Sequence, residues 1–325
     1  MGGTTLITGG AGYIGMLLAE ELLAAAHDVR VLDSLLHGQS GCADALRDRG
    51  VEVLVGDVRD ADARAEALRG AGAVVHLAAI VGDPACARDP DAAQAVNVDA
   101  ALALIRDAAE AGVERFVFAS TCSNYGRMTD PLVPITEDGA LAPVSLYAEQ
   151  KVAVERALLG LDPAPFAATC VRFATVYGVA PRMRFDLTVN EFTRDLWAGR
   201  RLEVFGEQFW RPYVHVRDAA RGARTVLEAP LERVAGEVFN VGDSGENYRK
   251  LDLVGLIRRE TDRGEVAFVQ RTEDPRDYKV SFAKVADRLG YAITSTVPEG
   301  IREIITGLDE ARFEDPFDGR YRNIA

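Results

Sequence analysis

The sequence predicts an α/β fold, a doubly wound parallel sheet with a smaller second region, on three observations. Short runs apolar on both faces recur through the first 175 residues, helix-patterned stretches separate them, and a cluster of glycines stands where the first run passes into the first helix. Strands that are apolar on both faces and alternate with helices belong to a parallel sheet covered on both sides. The chain has 325 residues and is 48% hydrophobic, ample for a large core.

Thr4 to Thr8 reads as the first buried strand, and Ile14, Leu17, Leu18, Leu22 and Leu23 recur at helical spacing in a run ending near His27. The following strands are "VRVLD" ending at Asp33, "VEVLVGD" (51–57), "AVVHLAA" (73–79), "RFVFAST" (115–121) and "ATCVRFAT" (168–175), with helices near 60–69, 91–112 and 144–160 between them. Past residue 178 the alternation loosens. A helix near 184–198, a strand at 201–205, a strand and helix over 212–228 and the strand "EVFNVG" come next. A helix near 250–260, a strand near 265–270 and helices near 282–289 and 298–312 complete the reading. The division this implies is residues 1–177 with 212–240 returning to them, and residues 178–211 with 241–325 as the smaller region. The tail "DPFDGRYRNIA" reads as a surface segment.

In sheets of this kind ligands lie at the carboxyl ends of the strands, which directs attention to the residues just after each one. After the first strand, Gly9, Gly12 and Gly15 bracket Tyr13 and Ile14. Glycines there allow a tight turn and close backbone approach to a pyrophosphate, and the helix N-terminus offers free N–H donors. Asp33, eighteen residues beyond Gly15, can accept both ribose hydroxyls of an adenosine and would repel the extra phosphate of NADP. The pair points to NAD.

A formal charge of −13 argues against nucleic acid or an anionic membrane as a partner. No apolar run reaches the length of a membrane span, and the N-terminus enters a strand at once, so the cytoplasm is the expected location. Cys42, Cys86, Cys122 and Cys170 lack metal-site spacing, as do the four histidines, so free thiols and no metal are expected.

The strongest chemical signal is "LYAEQK". Tyr147 and Lys151, four residues apart on a helix, lie on one face a turn from each other. A neighbouring ammonium favours the phenolate, which would let Tyr147 take a hydroxyl proton.

Together with "TGGAGYIG", these residues resemble the extended short-chain dehydrogenase/reductases, in particular the NAD-dependent sugar-nucleotide epimerase/dehydratase family typified by UDP-glucose 4-epimerase. The resemblance spans nearly the whole chain. It implies a Rossmann-type sheet binding NAD over residues 1–177, a smaller C-terminal substrate-binding domain, and commonly a homodimer. "GDVRD" resembles the adenine-contacting turn, with Asp57 and Val58 at the matching positions, and "HLAA" resembles the turn under the cofactor, with Leu77, Ala78 and Ala79. Asn97 in "AVNVDA" resembles the helix asparagine near the cofactor. Tyr147 takes the place of the acid/base and Lys151 that of its partner, which also holds the nicotinamide ribose. The Ser/Thr-rich strand end, four residues before Tyr125, places the catalytic hydroxyl on Thr121, with Ser120 and Ser123 as neighbours.

The 4,6-dehydratases of this family carry Thr-Asp-Glu where this chain has Thr121, Cys122 and Ser123, so elimination of water is disfavoured. The resemblance then implies epimerisation of a nucleotide-diphosphate sugar at C4. An NDP-sugar oxidoreductase, either a 4-keto reductase or a dehydrogenase, is the alternative, and a non-catalytic dinucleotide sensor is another. Cys122 suggests a third, since some relatives use a cysteine as base for epimerisation at C3 or C5, although they place it one residue nearer the tyrosine. Arg211 in "WRPYVHV" and Arg276 in "DPRDY" resemble the arginines that grip the substrate diphosphate. Thr175 replaces a common asparagine of the family, and "MRFDLTVNEF", with Asn190, is expected to line the nucleotide pocket with Ser123 and Cys122 nearby.

Overall fold

The computed structural model describes residues 3–128, 130, 132–161, 164–269 and 276–323. Elements alternate from the start: β1 Thr4–Thr8, α1 Tyr13–Ala24, β2 Val29–Asp33, α2 Ser40–Asp48, β3 Glu52–Val55, α3 Ala61–Leu68 and β4 Ala71–His76. Then come α4 Asp83–Arg88, α5 Pro90–Gln94, α6 Ala101–Glu110, β5 Arg115–Thr121, α7 Leu146–Leu159 and β6 Ala167–Phe173. The remainder is β7 Thr175–Tyr177, α8 Thr188–Trp197, β8 Arg201–Val204, β9 Trp210–His215, α9 Val216–Glu228, α10 Leu231–Val234, β10 Glu237–Val241, β11 Asn247–Arg249, α11 Lys250–Glu260, β12 Glu265–Phe268, α12 Ala283–Leu289 and α13 Val297–Asp309.

Seven parallel strands form the main sheet in the order β10-β6-β5-β4-β1-β2-β3. The order reverses between β1 and β4, the switch point at which such sheets open a ligand crevice. One face is packed by α1, α2 and α9 through Leu17, Leu18, Leu46, Val226 and their neighbours. The other is packed by α3, α6 and α7 through Leu68, Leu104, Val154 and Leu158. A three-stranded sheet, β11-β9-β7, and a parallel pair, β12-β8, build the second region. No described helix is long and apolar enough to cross a membrane.

Three departures from the sequence reading have physical causes. The run 168–175 splits: β6 ends at Phe173 and β7 turns away to pair with β9, so Thr175 leaves the main sheet. The helix read at 91–112 runs unbroken from Pro90 to Glu110, but Ala95–Ala100 within it winds as a π turn that lets the buried Asn97 reach back to the β4 turn. Helices α2 and α4 were not read, since α2 buries only Ala43 and Leu46 and α4 is six residues long with Pro84 near its N-terminus. The tail lies at the surface as read, its described residues exposed or half-buried, and it is tied down where Phe185 N–H donates to Tyr321 C=O at 2.8 Å.

Candidate active site

A cavity of about 860 Å³ opens along the carboxyl ends of β1, β2, β4 and β5 and is closed on its far side by residues 173–187, Arg276, Tyr278 and Asn323. Of the residues singled out from the sequence, Gly9, Gly12, Tyr13, Ile14, Gly15, Asp33, Asp57, Val58, Leu77, Ala78, Ala79, Thr121, Ser123, Tyr147, Lys151 and Arg276 line it. Asn97, Cys122, Asn190 and Arg211 do not.

At one end lies the glycine loop. Gly9 has φ +73°, and a Cβ there would stand 2.8 Å from Ala78 N, so the loop can press against the β4 turn only without a side chain. A Cβ on Gly15 would collide with Gly9 C=O. Gly12 stands at the N-cap of α1 and no side chain caps the helix, leaving its N-terminal dipole facing the cavity. Asp33 closes this end. Its carboxylate accepts from Ala11 N–H at 3.0 Å and Leu35 N–H at 2.9 Å, while burial raises its pKa above the usual carboxylate range against those two donors. Asp57 is held by Arg59 through both guanidinium and backbone N–H donors at 2.7 to 3.0 Å, which draws its pKa down.

At the other end are Thr121, Ser123, Tyr147 and Lys151. Ser145 caps α7 by accepting from Ala148 N–H, and the first turn of that helix carries Tyr147 into the cavity. Lys151, one turn on, is buried. Its Nζ donates to Ala119 C=O at 2.9 Å and lies 4.7 Å from the centre of the Phe118 ring and 5.8 Å from that of Tyr147. Burial lowers its pKa to about 8. The expectation that Lys151 would lower the phenol's pKa is not met in this geometry. Burial raises Tyr147 well above its ordinary value, and Cys86 and Asp83 add to the rise while Arg184 opposes it. Tyr147 therefore stands as a phenol, a hydrogen-bond donor until further positive charge arrives. His76 of "HLAA" is neutral, pushed down to about 3 by burial with Lys151 adding, and pairs with Thr8 Oγ1 at 2.7 Å beneath the cavity floor.

A buried network that sequence reading passed over fixes the Thr121 turn. Arg172 on β6 forks onto Glu155 of α7 at 2.7 to 3.3 Å and donates to Tyr125 Oη at 3.0 Å. Asn124 bridges Glu155 and Ser120, each at 3.0 Å. Each partner is ordinary in sequence, and only the contact of α7 with β6 brings them together. Asp83, also unread, crosses the cavity mouth: one carboxylate oxygen meets Arg276 at 2.9 Å, and its Oδ1 is buried with no hydrogen-bond partner in the structure.

The sequence from residue 5 to 242 matches the model of the NAD dependent epimerase/dehydratase family. The chain belongs to that family. It is 30% identical to a UDP-glucose 4-epimerase of Corynebacterium glutamicum, covering 88% of this chain and 89% of the relative. Among solved structures it resembles a UDP-glucose 4-epimerase from Thermotoga maritima with UDP-glucose (TM-score 0.85, 25% identity, 95% and 100% of the two chains). It equally resembles a dTDP-glucose 4,6-dehydratase from Streptomyces venezuelae with NAD bound (TM-score 0.83, 29% identity, 95% and 98%).

NAD is the cofactor of this epimerase/dehydratase family, and the residues present fit it. The cradle that side chains on Gly9 and Gly15 would fill, the uncapped N-terminus of α1 and the Asp33 carboxylate suit a pyrophosphate and an unphosphorylated ribose. The four residues outside the cavity have other partners. Asn97 is no cavity contact: it accepts from Ile80 N–H at 2.8 Å and donates to Ile80 C=O and Gln150, pinning the wall of the site. Asn190 is buried, accepts from Gly178 N–H at 2.9 Å and donates to Tyr13 Oη at 3.0 Å. Tyr13 in turn donates to Gly178 C=O at 2.5 Å, so its hydroxyl ties the glycine loop to the second region. Arg211 is buried and donates to the carbonyls of Trp210 and Arg276, which places it behind Arg276 rather than in the cavity. Cys122 is a correction too: its thiol points into the core and donates to Arg172 C=O at 3.3 Å, and burial raises its pKa well above the ordinary thiol value. It has neither the position nor the acidity of a base.

Proposed function

We propose that this chain epimerises a nucleotide-diphosphate hexose at C4 through a transient 4-keto sugar. The observation that carries the reading is the composition of the reacting end of the cavity: Tyr147 and Thr121 face it, Ser123 adds a neutral hydroxyl, and Cys122 is turned into the core. A 4-epimerase needs one acid/base and a hydroxyl donor, whereas loss of water across C5 and C6 needs a further acid/base pair. Tyr147 exchanges the proton of the C4 hydroxyl, Thr121 donates to the C4 oxygen, and the Lys151 ammonium holds the charge balance beside them. NAD, when bound, would supply reversible hydride acceptance and a positive charge that favours loss of the phenol proton. Tyr278 and Arg276 border the remaining space, where a sugar diphosphate fits.

The test is a panel of UDP-, dTDP-, GDP- and CDP-hexoses incubated with the purified protein without added cofactor, followed at 340 nm and by NMR. A C4 epimer at constant absorbance supports the proposal. An oxidised sugar formed only with excess NAD, or a 6-deoxy-4-keto product, overturns it.

A further inference from the structure

Arg182 lies on the segment that follows β7, yet it lines the cavity beside Asp33, His37 and Gln39, at the end where the carboxyl terminus of β2 meets the start of α2. It is 5% exposed. One guanidinium nitrogen donates to Arg322 C=O at 3.2 Å, so the folded tail holds the side chain in place, but Nη1 is buried without a hydrogen-bond partner in the structure. Its neighbour Arg184 differs. That side chain is committed to Asp186 through two donors, each at 2.9 Å. A buried guanidinium donor left unmatched is costly, and it belongs to a cavity-lining side chain whose charge acts on Asp33, the carboxylate suited to an adenosine ribose.

We propose that Arg182 is the second arm of the adenosine-ribose subsite, donating through Nη1 to the adenosine diphosphate half of bound NAD, and that Asp33 and Arg182 together set the choice between NAD and NADP. Asp33 repels a 2′-phosphate and takes the ribose hydroxyls, while Arg182 attracts negative charge to the same place. On this reading the loss of the Asp33 charge alone lets the site take NADP. The inference rests on dinucleotide binding by the family fold and not on which carbon is epimerised, so failure of the C4 reading leaves it standing.

The experiment measures NAD retained after exhaustive dialysis, and dissociation constants for NAD, NADP and ADP-ribose by calorimetry on the cofactor-stripped chain. Loss of one charge-assisted hydrogen bond predicts that Arg182→Ala weakens NAD and ADP-ribose alike by about tenfold or more, with Arg182→Lys recovering part of it. Asp33→Ser is expected to gain NADP binding, and Asp33→Ser/Arg182→Ala to lose that gain. Unchanged ADP-ribose affinity in Arg182→Ala overturns the proposal, as does an NADP gain that persists without Arg182. Should Asp33→Ser fail to fold, the ADP-ribose titration of Arg182→Ala decides alone.

Discussion

Replacing Lys151 with methionine should stabilise the cofactor-free protein while abolishing turnover. The ammonium is buried among Ala119, Phe118 and Tyr147 with no carboxylate among its hydrogen-bond partners, and its pKa falls from 10.5 to about 8. At 1.36 kcal/mol per unit, keeping the charge in the folded state costs about 3 kcal/mol at neutral pH. Methionine removes that cost but forfeits the hydrogen bond to Ala119 C=O, worth about 1 kcal/mol, for a net gain of about 2 kcal/mol. Below pH 8 both folded and unfolded lysine carry the proton and the full penalty is present. Between about 8 and 10.5 the folded protein releases its proton while the unfolded chain keeps it, so the wild type gains stability as pH rises and the advantage of the variant shrinks. Urea unfolding of both proteins from pH 6.5 to 10.5 measures this. A variant less stable than wild type at pH 7, or an advantage that does not decline above pH 8, refutes the reasoning.

Tyr147→Phe should lower turnover in the proposed epimerisation by about 10²- to 10⁴-fold, the usual share of a positioned acid/base, while NAD content measured after denaturation stays that of wild type. Cys122→Ala should leave kcat within a few-fold of wild type, since the thiol faces Arg172 C=O and not the cavity. A Glu155→Ala variant strands the buried Arg172 guanidinium and should cost about 3 to 5 kcal/mol in denaturant unfolding, with Glu155→Leu/Arg172→Met recovering most of it.

The parallel sheet was legible because buried strands announce themselves locally: "TTLIT", "VRVLD" and "RFVFAST" are apolar on both faces, and the structure places β1, β2 and β5 on those residues. Gly9, Asp33, Tyr147 and Lys151 were legible for a related reason, since each follows its strand or opens its helix at a fixed spacing. Arg182, Glu155, Arg172 and Asp83 were not. Their meaning comes from partners far along the chain, such as Arg322 C=O for Arg182, and no local period encodes that separation. Asn190 and Arg211 show the converse limit. Their stretches were read as neighbours of the pocket, but the side chains turn inward to hold Tyr13, Gly178 and the backbone of Arg276.

The strand order also governs how the molecule is made. β6 is complete at Phe173, but its outer partner β10 begins only at Glu237, and everything between must leave the ribosome first. Through that interval the growing chain presents an open parallel edge with unpaired backbone groups, a template for pairing with a second nascent chain. The edge position thus passes from β6 to β10 only when a late segment arrives. A chain truncated between β6 and β10 would leave β6, a longer strand than β10, at the edge of the sheet.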